Sequence, residues 1–268
     1  MDWNKTKTIF ILSFLVLNVF LTFQLIEKIN KSQLDQVTES TIEEQLEEED
    51  ITYPAIPKNN EIKQYISGKS KKFTPDELGD LDGQNINIRN ETMIMSTFEE
   101  PVQFSEEMSD EELRALMENN VMHGEDYTYW GHDESNNVLM FFQTYKNSTI
   151  YFNKNGMVLM ELNEDNEITR YYQTYLVDLE EMDVEEQSIL PAIKAIENLY
   201  RKYMLPSGSE ITHISMGYYT LVPLSGGGQV VAPTWHIRLK EGKSFFVNAV
   251  EGQVIEVKAE EFLEQVYQ

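Results

Sequence analysis

The sequence contains two similar turns, YFNKNGMV at residues 151–158 and FVNAVEGQV at residues 246–254. Each begins with residues that favour β-structure, passes through Asn and Gly, and returns to apolar residues after the Gly. With one residue of slippage, Gly156 and Gly252 occupy the same place in the pattern, where a tight turn needs a positive φ. The pattern predicts two β-hairpins and suggests that one structural plan is used twice.

A helix precedes the strands in each copy. The first begins at Ser109 or Asp110, which are good N-cap residues, and the second runs from about Glu185 to Met204. Each helix therefore has one face to bury against a sheet. Apolar residues recur near helical spacing in both, namely Leu113, Leu116 and Met117 in the first and Ile189, Ile193, Ile196, Leu199, Tyr200 and Tyr203 in the second.

Antiparallel strands are expected after each helix. Upstream of both copies, apolar residues on either side of Asn90 and Glu91 predict a further hairpin. Helices followed by runs of strands are typical of the α+β class, so we predict two related helix-plus-antiparallel-sheet domains, residues 53–178 and 179–268. The predicted strands are 127–130, 138–145, 149–153, 157–162 and 169–176 in the first copy, and 210–221, 230–239, 244–248 and 253–257 in the second.

The N-terminal run TKTIFILSFLVLNVFLTFQLIEK, residues 6–28, contains an uncharged stretch from Ile9 to Ile26. Spanning a bilayer takes about 17–25 residues, whereas the apolar core of a signal peptide is about 7–15 residues and ends in a small-x-small cleavage site. Such a site is missing from the sequence that follows the run. We therefore predict a retained transmembrane helix over residues 9–27, followed by an acidic stalk over residues 28–52.

The charges that flank this run set its expected orientation. Lys5 and Lys7 precede it and favour a cytoplasmic stub of residues 1–8, while Lys28 and Lys31 weaken the bias. A long C-terminal tail translocates largely regardless of charge. The predicted localisation is the cell membrane, single-pass, with the C-terminal domain extracytoplasmic.

Polar residues inside the predicted span share one face. Asn18 and Thr22 are four residues apart and lie with Phe14, Leu21 and Leu25 on that face. One interpretation is that the polar side chains bond back to their own helix. The other is that Asn18 bonds a second spanning helix, which would make the five residues a transmembrane partner interface.

Composition narrows the functional classes. The chain has 46 acidic and 21 basic residues, a net charge of −25, and no cysteine. So acidic a surface repels nucleic acid, and the absence of cysteine excludes disulfides, thiolate nucleophiles and zinc-thiolate sites.

The motif search predicts no enzyme, cofactor or metal site. The four histidines show no ligand spacing, GGG at residues 226–228 lacks the GK[ST] of a phosphate loop, and no carboxylate pair stands out among so many acids. What recurs is aromatic doublets such as Phe141-Phe142 and Tyr171-Tyr172. On a strand one member faces the core and the other faces outward, where either a protein interface or a neighbouring domain can cover it.

The N-terminal MDWNKTKTIF, residues 1–10, followed by one span and an acidic exterior region, resembles the YycI family, also called WalI. Residues 247–254, VNAVEGQV, also resemble the V-D-A-x-T-G-x-V turn of PepSY-type domains, with Asn248 for Asp and Glu251 for Thr. Those two departures leave the PepSY-like label as an indication of fold, while the YycI resemblance implies a fold shared with the C-terminal domains of YycH-like proteins.

The YycI resemblance implies a non-enzymatic accessory protein of the WalK/WalR two-component system. Its implied partners are a YycH-like single-pass protein and a WalK-like sensor histidine kinase, reached through spanning helices and exterior domains. Such contacts adjust kinase output and cell-wall homeostasis, and the family offers no catalytic residues to transfer. The alternative is an extracytoplasmic PepSY-like inhibitor or sensor domain that binds a peptidase or a ligand derived from the wall.

Overall fold

A computed structural model describes residues 3, 7, 14, 15, 17, 18, 20–22, 41–57, 64–78, 81–182, 188–223 and 228–267. The chain divides into two units, Met1–Glu49 and Asp50–Gln268. In the first unit, α1 (Ile42–Glu48) lies within the predicted stalk and begins with a capping box between Thr41 and Glu44. Among the described residues, no helix has both the length and the apolar character needed to cross a bilayer.

Asp50–Gln268 is a sheet-dominated α+β unit, which confirms the predicted class. Its described residues form thirteen strands in one connected sheet, with three α-helices. In chain order the elements are β1 (Ile66–Ser70), β2 (Gln84–Arg89), β3 (Met93–Gln103), α2 (Asp110–Asn120), β4 (Tyr127–Asp133), β5 (Val138–Tyr145), β6 (Ser148–Tyr151), β7 (Met157–Leu162), β8 (Glu167–Gln173), β9 (Leu176–Glu181), α3 (Ala192–Arg201), β10 (Ile211–Pro223), β11 (Gly228–Leu239), β12 (Ser244–Asn248), β13 (Val254–Ile255) and α4 (Ala259–Tyr267).

The first part of the sheet, in the order β4-β5-β7-β8-β3-β2, is antiparallel and covered on both faces. Phe141 belongs to the core cluster that contains the apolar side of α2, whereas the next residue, Phe142, belongs to the cluster that contains α4. Tyr171 and Tyr172 divide between the two clusters in the same way. The outward-facing aromatic residues of this region are therefore covered by the C-terminal helix.

The second part of the sheet, β10 to β13, is also antiparallel. Trp235 of β11 is fully buried, and its indole Nε1 donates to the Leu190 carbonyl just before α3 at 2.7 Å. Asn198 on α3 donates to the Gly252 carbonyl at 2.9 Å. These bonds hold α3 against the β11 and β12–β13 region.

Strands from the two predicted domains pair with one another. β6 leaves β5 after two paired positions and continues beside β10 in parallel, and β1 pairs with both β9 and β11. β9 itself crosses the predicted boundary between residues 178 and 179. The domain boundary after residue 178 stays a prediction. The strands on either side of it pair with one another in a single sheet.

One of the two predicted hairpins is wrong. β6 and β7 pair with β5 rather than with each other, and Gly156 is outside the left-handed region. At Gly156 the backbone instead lies close to the Gln143 side chain, since a Cβ at Gly156 would be 3.0 Å from Gln143 Oε1. The hairpin at residues 246–254 is confirmed, with β12 paired to β13 and Gly252 at φ 71°.

The two turns nevertheless share a buried asparagine at their start. The Asn153 side-chain oxygen accepts from the Asn155 N–H at 2.8 Å, and that of Asn248 accepts from the Val250 N–H at 2.8 Å. Both asparagines are 1% exposed. The similarity between the copies is therefore an Asn-initiated turn, and only the second turn joins two paired strands.

The predicted start of the second helix is also wrong. The helix begins at Ala192, with Pro191 as its N-cap at ψ 152°. Proline disfavours the helical conformation at the residue before it, which stops the helix from extending through Leu190. Tyr203, with a φ of 57°, lies beyond the last helical residue, Arg201.

Substituting Gly217 is expected to separate β6 from β10. A Cβ at Gly217 would lie 2.4 Å from the Thr149 carbonyl oxygen and 2.5 Å from the Tyr151 ring. Because backbone cannot yield as a flexible side chain does, we expect Gly217→Ala to lower the free energy of unfolding by about 1–3 kcal/mol in urea titration. Gly131→Ala in β4 is the matched control, since nothing lies within 4 Å of a Cβ there. Equal stability of the two variants would contradict this description of the junction.

Candidate functional site

Four of the five predicted interface residues in the N-terminal run are described. Phe14, Asn18, Leu21 and Thr22 are helical and exposed, and Leu25 lies outside the described residues. The Asn18 amide nitrogen donates to the Phe14 carbonyl at 3.0 Å, and the Thr22 hydroxyl donates to the Asn18 carbonyl at 2.8 Å. These bonds to the helix's own backbone agree with the first interpretation of the polar face. The Asn18 amide oxygen is a hydrogen-bond acceptor that a second helix can use, so the partner interface stays a prediction.

A groove of about 570 Å³ lies in the unit Asp50–Gln268, beside β4. Its size is within the range of pockets that hold small molecules or short peptide segments. The groove was not predicted from the sequence, because β4, β6, β10 and β11 contribute residues to it. The residues used below are Thr128, Tyr129 and Trp130 of β4, Thr149 and Tyr151 of β6, His213 and Ser215 of β10, and His236 and Arg238 of β11.

Aromatic contacts hold the groove in shape. The ring of Trp130 lies 4.9 Å from that of His236 and 5.6 Å from that of Tyr151, between ring centroids. Behind them, Phe246 stacks on His236 at 5.1 Å. Such aromatic pairs contribute about 0.5–1.5 kcal/mol each beyond their buried area, so one wall of the groove is a packed, rigid layer.

His236 is 5% exposed, and its Nε2 lies 2.9 Å from the Ser244 hydroxyl. Burial, followed by the nearby charges of His213 and Arg238, lowers the pKa of His236 from 6.5 to about 3. Burial also raises the pKa of the Tyr151 phenol. Both groups are therefore neutral near pH 7.

The buried His236 predicts a specific loss of stability in acid. Because its folded-state pKa lies below the unfolded value, its contribution is complete above pH 6.5 and is lost as the pH falls towards 3. Between pH 8 and pH 5 we expect this group to cost roughly 2 kcal/mol of unfolding free energy. The variant His236→Phe should remove that part of the pH dependence in denaturant titrations. Ser244→Ala, which keeps the histidine, should retain it, and a wild-type slope in His236→Phe would exclude this explanation.

The groove is also distinguished by its charge. None of its lining residues is acidic, although the chain carries a net charge of −25. Lys240 at one end is paired with Glu210 at 2.6 Å. Arg238 is exposed and, among the described residues, has no ion-pair partner. The groove is therefore a local positive region on an acidic protein.

A second cluster offers metal-ligand atoms. His123, Glu125 and Asp126 follow α2 in one turn, and their ligand atoms lie within 4.8 Å of one another. Tyr175 stacks on His123 at 4.8 Å and donates its hydroxyl to Asp126 at 2.5 Å. Burial and the Asp126 carboxylate raise the pKa of Tyr175, which keeps that hydroxyl a donor. The His-Gly-Glu-Asp order was the only sequence signal for this cluster.

Curated proteins give no match. Among solved structures the chain is similar to the Bacillus megaterium YpeB C-terminal domain, with 13% identity and a TM-score of 0.36, over 72% of this chain and 90% of that one. A family model described as "YycI protein" matches residues 29–250.

Proposed function

Since the chain belongs to the YycI family, we propose that it is a non-enzymatic, membrane-anchored regulator of a WalK-type sensor histidine kinase. It acts together with a YycH-like single-pass protein, through transmembrane and extracytoplasmic contacts, to tune cell-wall homeostasis. The family match over residues 29–250 is the observation that carries this proposal.

The N-terminal run supports the membrane part of the proposal. Residues 9–27 form the span, residues 1–8 lie in the cytoplasm, and the unit from Asp50 onward lies outside the cell. Asn18 and Thr22 give this span a polar face, which in a bilayer favours contact with a second helix over contact with lipid. Such a face supports docking to a kinase and its partner within the membrane.

The groove beside β4 supports the extracytoplasmic part. Its lining without acidic residues, together with an exposed Arg238 that has no ion-pair partner in the part of the chain that the structure describes, suits recognition of another molecule. The same observation supports a second candidate, an extracytoplasmic sensor or inhibitor domain that binds a peptidase or a wall-derived ligand. The two candidates differ in whether the intact protein is found with a kinase.

Recovery of partners from intact membranes tests the first candidate. A tagged full-length chain, extracted gently from its own membrane, should bring down a histidine kinase and a second single-pass protein, identified by mass spectrometry. Recovery of neither would overturn the proposed function.

Asn18→Leu/Thr22→Leu is expected to weaken that recovery. Interhelical hydrogen bonds in membranes contribute about 0.6–2 kcal/mol, so the yield of partners should fall by roughly three- to thirtyfold. Ser13→Leu/Gln24→Leu is the matched control, because helical spacing puts those two polar residues on the opposite side of the span. An unchanged yield from the Asn18/Thr22 variant would remove these residues from the interface.

A further inference from the structure

β4 has an open edge next to the groove. Among the described strands it pairs only with β5. Thr128 and Tyr129 are successive residues, yet both line the groove. Because successive side chains on a strand point to opposite faces, the groove must run along the edge of β4. An open strand edge presents main-chain N–H and C=O groups that another extended chain can pair with.

The floor of the groove is one face of the neighbouring strands β6, β10 and β11. Thr149 and Tyr151 alternate along β6, and His236 and Arg238 alternate along β11. Alternate residues share a face, so a chain lying against β4 would pass over these side chains. At the register shift between Tyr129 and Gly131, Trp130 turns its ring onto His236 and closes one side of the groove.

The charge of the groove indicates which kind of peptide ligand would bind there. An acidic ligand would be repelled by most of a surface with a net charge of −25. Within the groove no lining residue is acidic, and the Arg238 guanidinium can form a bidentate pair with a carboxylate. Complementary charge therefore favours a ligand with carboxylate side chains at this one place.

We propose that the groove binds an extended acidic peptide segment of a partner protein, which adds to the open edge of β4 as a new strand and places a carboxylate on Arg238. Strand addition provides affinity through the main chain, and the alternate side chains provide specificity. The hydroxyls of Thr149, Tyr151 and Ser215 are further polar groups along its path, and those of Tyr151 and Ser215 lie 3.2 Å from each other. The binding reaction stands apart from kinase regulation, although the partner of the proposed function is one source of such a segment.

A random octapeptide display library, selected on the full-length chain in nanodiscs, tests the proposal without any kinase present. The selected peptides should be enriched in Asp and Glu and in Val, Ile and Thr, and poor in Pro. Selection of basic or uncharged sequences, or no enrichment at all, would overturn the proposal. Failure of the kinase pull-down would leave this result unchanged, so the two proposals can fail separately.

Substitution of Arg238 tests where the carboxylate binds. Arg238→Glu should weaken binding of the selected peptides by at least about tenfold, and Arg238→Gln should weaken it less. Arg89→Glu is the matched control, since Arg89 is an exposed arginine on β2 that does not line the groove. Equal effects of Arg238→Glu and Arg89→Glu would assign the loss to net charge and contradict the site.

N-methylated peptides test strand addition. Methyl groups on alternate amides block one edge of a peptide while the side chains stay the same. One of the two alternate sets should abolish binding and the other should leave it intact. If neither set weakens binding, strand addition is wrong. If Arg238→Glu instead breaks a dimer of the detergent-solubilised chain, a second copy occupies the groove and the peptide assignment is wrong.

Discussion

Deletion of residues 259–268 is expected to unfold the unit Asp50–Gln268 or bring it close to unfolding. These residues contain α4, whose Phe262, Leu263 and Val266 are buried against one face of the first part of the sheet. Burial of each such side chain contributes about 1.5–3 kcal/mol, so the helix contributes roughly 5–9 kcal/mol by this measure. A typical domain has about 5–15 kcal/mol in total.

The exposed face left by that deletion adds to the effect. Phe142, Met157 and Leu159 would lose their cover, and an exposed apolar sheet face favours aggregation. We expect the truncated chain to lose its cooperative urea transition and to become sensitive to proteolysis.

Single substitutions on α4 provide the controls. Phe262→Ala should cost about 3–5 kcal/mol, because its ring packs edge-on against Phe142 at 5.7 Å between centroids. Glu260→Ala/Glu264→Ala, on the exposed side of the same helix, should change stability by less than about 0.5 kcal/mol. A truncated chain that unfolds at the wild-type urea concentration would show that α4 is dispensable.

Strong local patterns made much of the fold predictable. β5, β7 and β12 have the predicted bounds, since each is a run of β-favouring apolar residues ended by turn residues. α2 begins where its capping residue, Ser109, predicts, and Glu112 completes the capping box. In these segments local preference and tertiary packing agree.

The elements that were missed depend on distant partners. β1, ISGKS, has a single apolar residue, Ile66, and is a strand because β9 and β11 lie on either side of it. α4 is short and acidic, and the sheet face that buries it lies some hundred residues earlier in the chain. The error at Gly156 has the same origin, since β6 leaves β5 to join β10.

The candidate groove could not be predicted from the sequence, for a related reason. Tyr151 and His236 are far apart in sequence. Their ring centroids are 5.3 Å apart because β6 leaves β5 and pairs with β10 in the second part of the sheet. Neither residue belongs to a binding or catalytic motif. The absence of acids from the groove becomes visible only when four strands are brought together.

Replacing the N-terminal run is expected to abolish regulation. If the proposed function holds and residues 1–31 are exchanged for a cleavable export signal, the unit Asp50–Gln268 should be released from the membrane and lose its effect on kinase-dependent gene expression. Confinement to one membrane raises the effective concentration of partners, and losing it lowers apparent affinity by about 10²–10⁴-fold. Membrane fractionation and a reporter gene measure the two effects.

An unrelated single-pass helix in place of residues 9–27 is the matched control. This variant should stay in the membrane fraction, which separates tethering from contacts made by the native helix. Regulation that survives release of the unit Asp50–Gln268 would contradict the need for an anchor.

The most direct test of the account is the autophosphorylation rate of a WalK-type kinase in nanodiscs, measured with and without the full-length chain and its YycH-like partner. We expect the rate to change by roughly fivefold or more when the full-length chain is present, and to return towards its starting value with the chain that carries the unrelated helix. The same rate with and without the chain would contradict regulation by contact.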